Sequence, residues 1–141
     1  MSIIGSNKVS VVKELEEWFR KHASVDAQPI IVDNKGKIKP YINVYGDISI
    51  NVYQKKLFPK NINFGHIYGN FSVQNSQIST MTSFPTDVDG DFICYGCHNI
   101  SSLKRLPKYI GGKCTIRCCG RPFTKDEVQA ICEVKGEIIV N

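Results

Sequence analysis

Apolar residues in this chain recur in a fixed frame around five glycines. Two positions before Gly46, Gly69, Gly90, Gly112 and Gly136 stand Val44, Ile67, Val88, Ile110 and Val134. Two positions after them stand Ile48, Phe71, Phe92, Cys114 and Ile138, and four after them Ile50, Val73, Cys94, Ile116 and Val140. The glycines are 23, 21, 22 and 24 residues apart, and self-similarity at such a period marks a stack of repeats. Positions +2 and +4 alternate along an extended chain, so they share one face and point inward. The frame predicts strands over residues 46–52, 69–74, 90–95, 112–117 and 136–140. Ser49, Ser72, Ile93, Thr115 and Ile139, followed by Asn51, Gln74, Tyr95, Arg117 and Asn141, then face outward from one parallel sheet.

Each copy returns through an apolar-x-x-apolar-Pro segment. Ile78, Met81, Phe84 and Pro85 form one return and Ile100, Leu103, Leu106 and Pro107 the next, with Phe58-Pro59 in an irregular first copy. The last return is predicted as a helix. Thr124 to Glu127 is a capping box, and Val128, Ile131 and Cys132 supply its apolar face.

Upstream, Val12, Leu15, Phe19 and His22 mark a helical stripe, which predicts a helix over residues 10–23. Ser10 would be its N-cap, and Arg20, Lys21 and His22 its cationic end. A connector runs through Gln28-Pro29. Ile30 to Val32 and Tyr41 to Val44, around Asp33-Asn34-Lys35-Gly36, predict a hairpin. The fold class is therefore α+β. A helix and hairpin cap over residues 1–45 leads into a solenoid over residues 46–141, right-handed and of about five rungs, as a single structural unit.

At 141 residues, the chain is long enough for one domain with a real core, and its composition is that of a folded soluble protein. No apolar run approaches the ~20 residues that span a bilayer, and the first residues lack a signal-peptide core. The net charge is +5. It is unevenly placed: no carboxylate lies between Asp91 and Asp126, whereas Lys104, Arg105, Lys108, Lys113, Arg117, Arg121 and Lys125 do. That excess suits an acidic partner, protein or nucleic acid.

All six cysteines lie from Cys94 onward, which is not the spread of a secreted disulfide framework, so a reducing cytoplasm is expected. Cys94, Cys97, Cys114 and Cys118 offer a zinc-like set. The repeat frame assigns most of them elsewhere. Cys94 and Cys114 fill inward positions, where cysteine acts as a small hydrophobe. Cys97 and Cys119 stand seven after their glycines, where a polar side chain serves backbone groups of the turn. Cys118 has no role in the frame. Stacking of Cys97 over Cys119 would allow a disulfide on oxidation. No metal or other cofactor is expected, and no nucleophile elbow or phosphate loop points to an enzyme.

Phe92-x-Cys94-x-x-Cys97 and Cys114-x-Ile116-x-x-Cys119 resemble the L-x-L-x-x-N/C core of leucine-rich repeats, and the returns ending in Leu106-Pro107 resemble the short bacterial version. Together with the helix, the hairpin and Pro85-x-x-Val88-x-Gly90-Asp91-Phe92, the chain resembles small leucine-rich-repeat-like proteins of tailed bacteriophages. The resemblance covers about residues 30–141. It implies a solenoid fold and a phage origin, and it carries no catalytic residues.

Function is expected on the outward sheet face. Ser72, Gln74, Ile93, Tyr95, Thr115 and Arg117 line it, with Lys113 and Arg121 steering an acidic patch; an exposed Tyr and Arg beside an aliphatic group is the composition of a protein-interface hot spot. The reading is a non-enzymatic scaffold that inhibits or occludes a host defence or regulatory protein in the host cytoplasm, with no membrane partner. A nucleic-acid binder using residues 104–125 and a small zinc module are the alternatives. The apolar final strand also suits pairing with a second copy in a homodimer.

Overall fold

A computed structural model describes residues 9–24, 27–32, 41–59 and 62–140. The glycine-centred runs are not single strands. Each bends at its glycine into two short strands that belong to different sheets. One sheet holds β3 (Ile48–Asn51), β5 (Phe71–Gln74), β7 (Phe92–Tyr95), β9 (Cys114–Arg117) and β11 (Ile138–Val140), all parallel. The other holds β1 (Gln28–Val32), β2 (Tyr41–Tyr45), β4 (Phe64–Ile67), β6 (Asp87–Val88), β8 (Tyr109–Ile110) and β10 (Glu133–Val134). The chain is thus a parallel-sheet solenoid, its five post-glycine strands bounding four turns. The expected strands lose two residues each at their starts, because the glycine and its successor form the corner.

Two features build that corner. The residue after each of the first three glycines is a short polar acceptor that bonds the next rung. Asn70 N–H donates to Asp47 Oδ1 (2.7 Å), Asp91 N–H to Asn70 Oδ1 (2.8 Å) and Lys113 N–H to Asp91 Oδ1 (2.8 Å). Ser24 Oγ begins the ladder by accepting from Asp47 N–H at 3.0 Å. The acceptors leave no space beside the next glycine: a Cβ on Gly69, Gly90 or Gly112 would run into the Asp47, Asn70 or Asp91 oxygen. Close approach demands glycine at these corners, since none of the three has a positive φ.

The core lies between the two sheets and the returns. Val44, Ile67, Val88 and Ile110 are buried from one sheet, and positions +2 and +4 of the first four rungs, with Ile138, from the other. Ile78, Met81, Phe84, Ile100, Leu103 and Leu106 close the third side, as their spacing predicts. Tight turns such as Phe84 N–H to Met81 O (3.0 Å) and Leu106 N–H to Leu103 O (2.9 Å) shape the returns. Aromatic rings fill the early rungs, with Phe71 stacked on Phe92 at 6.0 Å and Phe58 on Phe84 at 5.7 Å.

α1 (Val9–His22) packs Trp18 and Phe19 into this core. Ser10 falls inside the helix, so it is not the N-cap; the preceding residues lie outside those described. His22 is not a free helix-end cation either. Its ring lies 4.6 Å from that of Trp18, and burial lowers its pKa below the usual histidine value, against a hydrogen bond to the Ser49 carbonyl that raises it. β1 and β2 pair antiparallel from Gln28↔Tyr45 to Val32↔Tyr41, the expected hairpin. Its expected turn at residues 33–36 lies outside the described residues. Pro29, expected in the connector, is part of β1, an edge strand where a missing N–H is tolerated. β2 continues directly into the solenoid through parallel pairing with β4.

α2 (Lys125–Gln129) starts in the expected capping box, Thr124 Oγ1 accepting from Glu127 N–H and the Glu127 carboxylate accepting from Thr124 N–H. Val128 and Cys132 are buried, but the helix ends before Ile131, which is 47% exposed. Among the described residues no helix is long and apolar enough to cross a membrane.

Candidate functional site

The outward face of the β3–β11 sheet carries two rows in exact rung-to-rung register. Ser49, Ser72, Ile93, Thr115 and Ile139 form one; Asn51, Gln74, Tyr95 and Arg117 form the other. Parallel pairing sets equivalent side chains over one another, so six of the eight expected site residues share one surface. Tyr95 is 39% exposed, Arg117 is exposed, and Ile93 and Thr115 between them are half-buried. Arg117 and Lys113 enter no ion pair among the described residues.

Two expected members differ. Ser72 is only 8% exposed, because it is flanked in its row and Gln74 Nε2 donates to its hydroxyl at 2.9 Å. Arg121 does not steer a partner from the face. Its guanidinium grips the Glu127 carboxylate with two bonds of 2.7 and 3.2 Å, lies over the Phe123 ring at 4.2 Å and donates to the Ser101 carbonyl. Its charge is spent within the last return, so the free positive charge on the face is that of Arg117, with Lys113 at its corner.

The cysteines follow the frame with one shift. Cys97 Sγ donates to the carbonyl of Val73 (3.6 Å), and Cys119 Sγ to that of Cys94 (3.6 Å). Each +7 thiol therefore reaches the +4 residue of the preceding rung, whereas Ser76 Oγ, at the same position, donates to Gln74 O of its own turn. Cys94 Sγ and Cys119 Sγ, on adjacent rungs, meet at 3.7 Å. Burial pushes the Cys114 thiol up to about 12 and that of Cys132, its neighbour, up to about 11. Cys118 does have a place in the frame. Position +6 turns left-handed in four rungs, at Val52, Asn75, Gly96 and Cys118 (φ 57°, 50°, 70° and 55°). Among the described residues no three His, Cys, Asp or Glu side chains are grouped to hold a metal ion, so the set Cys94, Cys97, Cys114 and Cys118 of the zinc alternative does not converge.

The second sheet presents a feature the sequence reading missed. Tyr45 and Tyr68 stack at 4.2 Å and 3°, and His66 stacks on the far side of Tyr68 at 3.9 Å and 6°. His66 Nε2 sits 2.6 Å from Asp89 Oδ1. A hydrogen bond to Tyr45 raises the Tyr68 phenol pKa. A bulge in β4 displaces His66, whose N–H is taken up by Asn43 Oδ1 at 2.8 Å. Beside it, Asn43, Gly65, His66, Thr86 and Asp87 line a groove of about 280 Å³. Tyr45, Tyr68 and Asp89 all directly precede a repeat glycine, and laying out that column would have found them.

No family model, curated protein or solved structure matches this chain. The fold defines a small parallel-sheet solenoid whose outward face carries Tyr95 beside Arg117.

Proposed function

We propose that this chain is a non-enzymatic binding scaffold whose outward sheet face covers a protein partner bearing an acidic patch. The observation that supports it best is the Gln74–Tyr95–Arg117 row: a part-exposed tyrosine in register beside an arginine with no carboxylate partner among the described residues. A tyrosine on a rigid sheet loses little entropy on docking, and the pair brings both ring area and charge. All seven basic side chains between residues 92 and 125 are exposed, and among the described residues only Arg121 is compensated by a carboxylate. The resemblance to leucine-rich-repeat-like phage proteins supports the finer reading, in which the chain is phage-encoded and occludes a defence or regulatory protein in the host cytoplasm.

In this reading α1 and the β1–β2 hairpin are the N-terminal cap. Ala23 bridges Ile48 on β3, and Ser24 N–H donates to the Asp47 carbonyl at 2.9 Å, so the helix end occupies that sheet edge. The opposite edge, β11, pairs among the described residues with β9 alone and is the proposed seam of a homodimer.

The test is affinity capture from the bacterial host, followed by titration of the recovered protein. Tyr95→Ala and Arg117→Glu are each expected to weaken binding by about thirty-fold, the loss of about 2 kcal/mol typical of a hot spot, with unchanged circular dichroism. Two silent substitutions overturn the proposal. Recovery of nucleic acid instead, with affinity falling steeply as salt rises, would transfer the function to residues 104–125.

A further inference from the structure

The row of sulfurs across the third and fourth rungs is not used by the binding face. Cys94 is fully buried at position +4 and Cys97 at position +7 of the same rung, while Cys119, at +7 of the next rung, is only half-buried. Cys94 Sγ and Cys119 Sγ stand 3.7 Å apart, and both thiols are free. The contact follows from the rung geometry described above: a +7 thiol donates to the carbonyl of the +4 residue one rung back. In the preceding pair of rungs that residue is Val73, whose carbonyl takes the Cys97 S–H, while the Cys97 sulfur also bonds the Cys94 thiol of its own rung. Here it is Cys94, and sulfur meets sulfur.

We propose that Cys119 and Cys94 form a peroxide-reactive thiol pair, with Cys119 as the attacking sulfur and Cys94 as the resolving one. Of the two, Cys119 is the one open to a small oxidant. Its thiolate attacks one oxygen of the peroxide; the S–O bond forms, the O–O bond breaks and the other oxygen leaves as hydroxide, which takes up a proton to become water. Cys94 then attacks the sulfenic sulfur. The S–S bond forms, the S–O bond breaks, and the Cys94 proton leaves with the hydroxyl as a second water. Two thiols and one hydrogen peroxide become one disulfide and two waters. A bond length near 2.05 Å requires the sulfurs to close by somewhat under 2 Å, which side-chain rotation of a half-buried residue can supply. The electrostatics agree: the Cys94 S–H, hydrogen-bonded to Cys119, lowers the Cys119 pKa to about 7 and raises its own well above the usual thiol range.

The experiment treats the reduced full-length protein with one equivalent of hydrogen peroxide and maps disulfides without reduction, in a Cys118→Ser background. Cleavage after Tyr95 and after Arg117 separates Cys94 from Cys97 and isolates the Cys119 peptide. A Cys94–Cys119 link is expected, and alkylation of Cys119 by iodoacetamide should reach half its maximal rate near pH 7. Cys119→Ser should abolish the link, and serine is accommodated at +7 because Ser76 occupies that place. Cys94→Val copies Val73 and should leave Cys119 as a sulfenic acid trapped by dimedone. A disulfide mapped to Cys97–Cys119, an undiminished link in Cys94→Val, or no disulfide in the folded wild type overturns the proposal.

Discussion

Val52 adopts a left-handed backbone (φ 57°) although its side chain branches at Cβ, and it is 59% exposed, so packing gives little in return. The next rung has Asn75 at the same place and the one after it Gly96, residues that enter this region at low cost. Val52→Asn is therefore expected to stabilise the fold by about 1 kcal/mol, read as a higher urea midpoint at unchanged slope. Gly90 is the opposite case. Its φ is not positive, yet an added Cβ would strike Asn70 Oδ1 and come within 2.9 Å of the Gly69 carbonyl. Gly90→Ala is expected to cost about 1–3 kcal/mol, as overpacking does, measured by the same denaturation. The glycine column was visible in the sequence, but its reason was not, because the crowding comes from a residue one rung away. Asn75 and Gly96 signalled the left-handed position as well; Val52 and Cys118 concealed it.

Among the elements, the corner at each glycine is the point where sequence pattern and structure part. Apolar residues at −2, +2 and +4 keep a period of two, which fits one straight strand as well as two short strands meeting at a turn. Parity fixes which side chains point inward and is blind to the bend. Asp47, Asn70 and Asp91 produce that bend, by turning side-chain acceptors onto the next rung's backbone. α1 shows a related limit. Among the described residues the stripe sends Phe19 into the core, but the neighbours of His22 are not readable along the chain; its ring is packed on Trp18 and near Tyr53. With its native pKa below the ordinary value, acidification protonates the unfolded chain first, so stability falls as pH drops below about 6.5. Thermal melts from pH 7.5 to 5 should show this slope, and His22→Gln should flatten it.

For the whole molecule, the two ends of the β3–β11 sheet are treated differently. The helix end bridges β3 at Ala23, whereas β11 has a partner strand on one side only among the described residues. An apolar edge of this kind pairs readily with another strand. The proposed homodimer should give twice the chain mass by light scattering, and Ile139→Lys, placing a charge on the edge strand, should return it to a monomer. A wild-type monomer at every concentration would remove this assembly from the reading.

The sequence by itself determined the repeat, the inward columns, the returns, the capping box of α2 and the residues that share the outward face. These follow from local periodicity, and a stack of rungs copies local order directly into space. Tertiary structure alone decided where charges and sulfurs are spent. It put Arg121 onto Glu127, buried Ser72, stacked His66 on Tyr68 and set Cys119 against Cys94. Those pairings depend on the offset between successive rungs and on the bulge in β4, distances of a few ångströms that no spacing along the chain encodes.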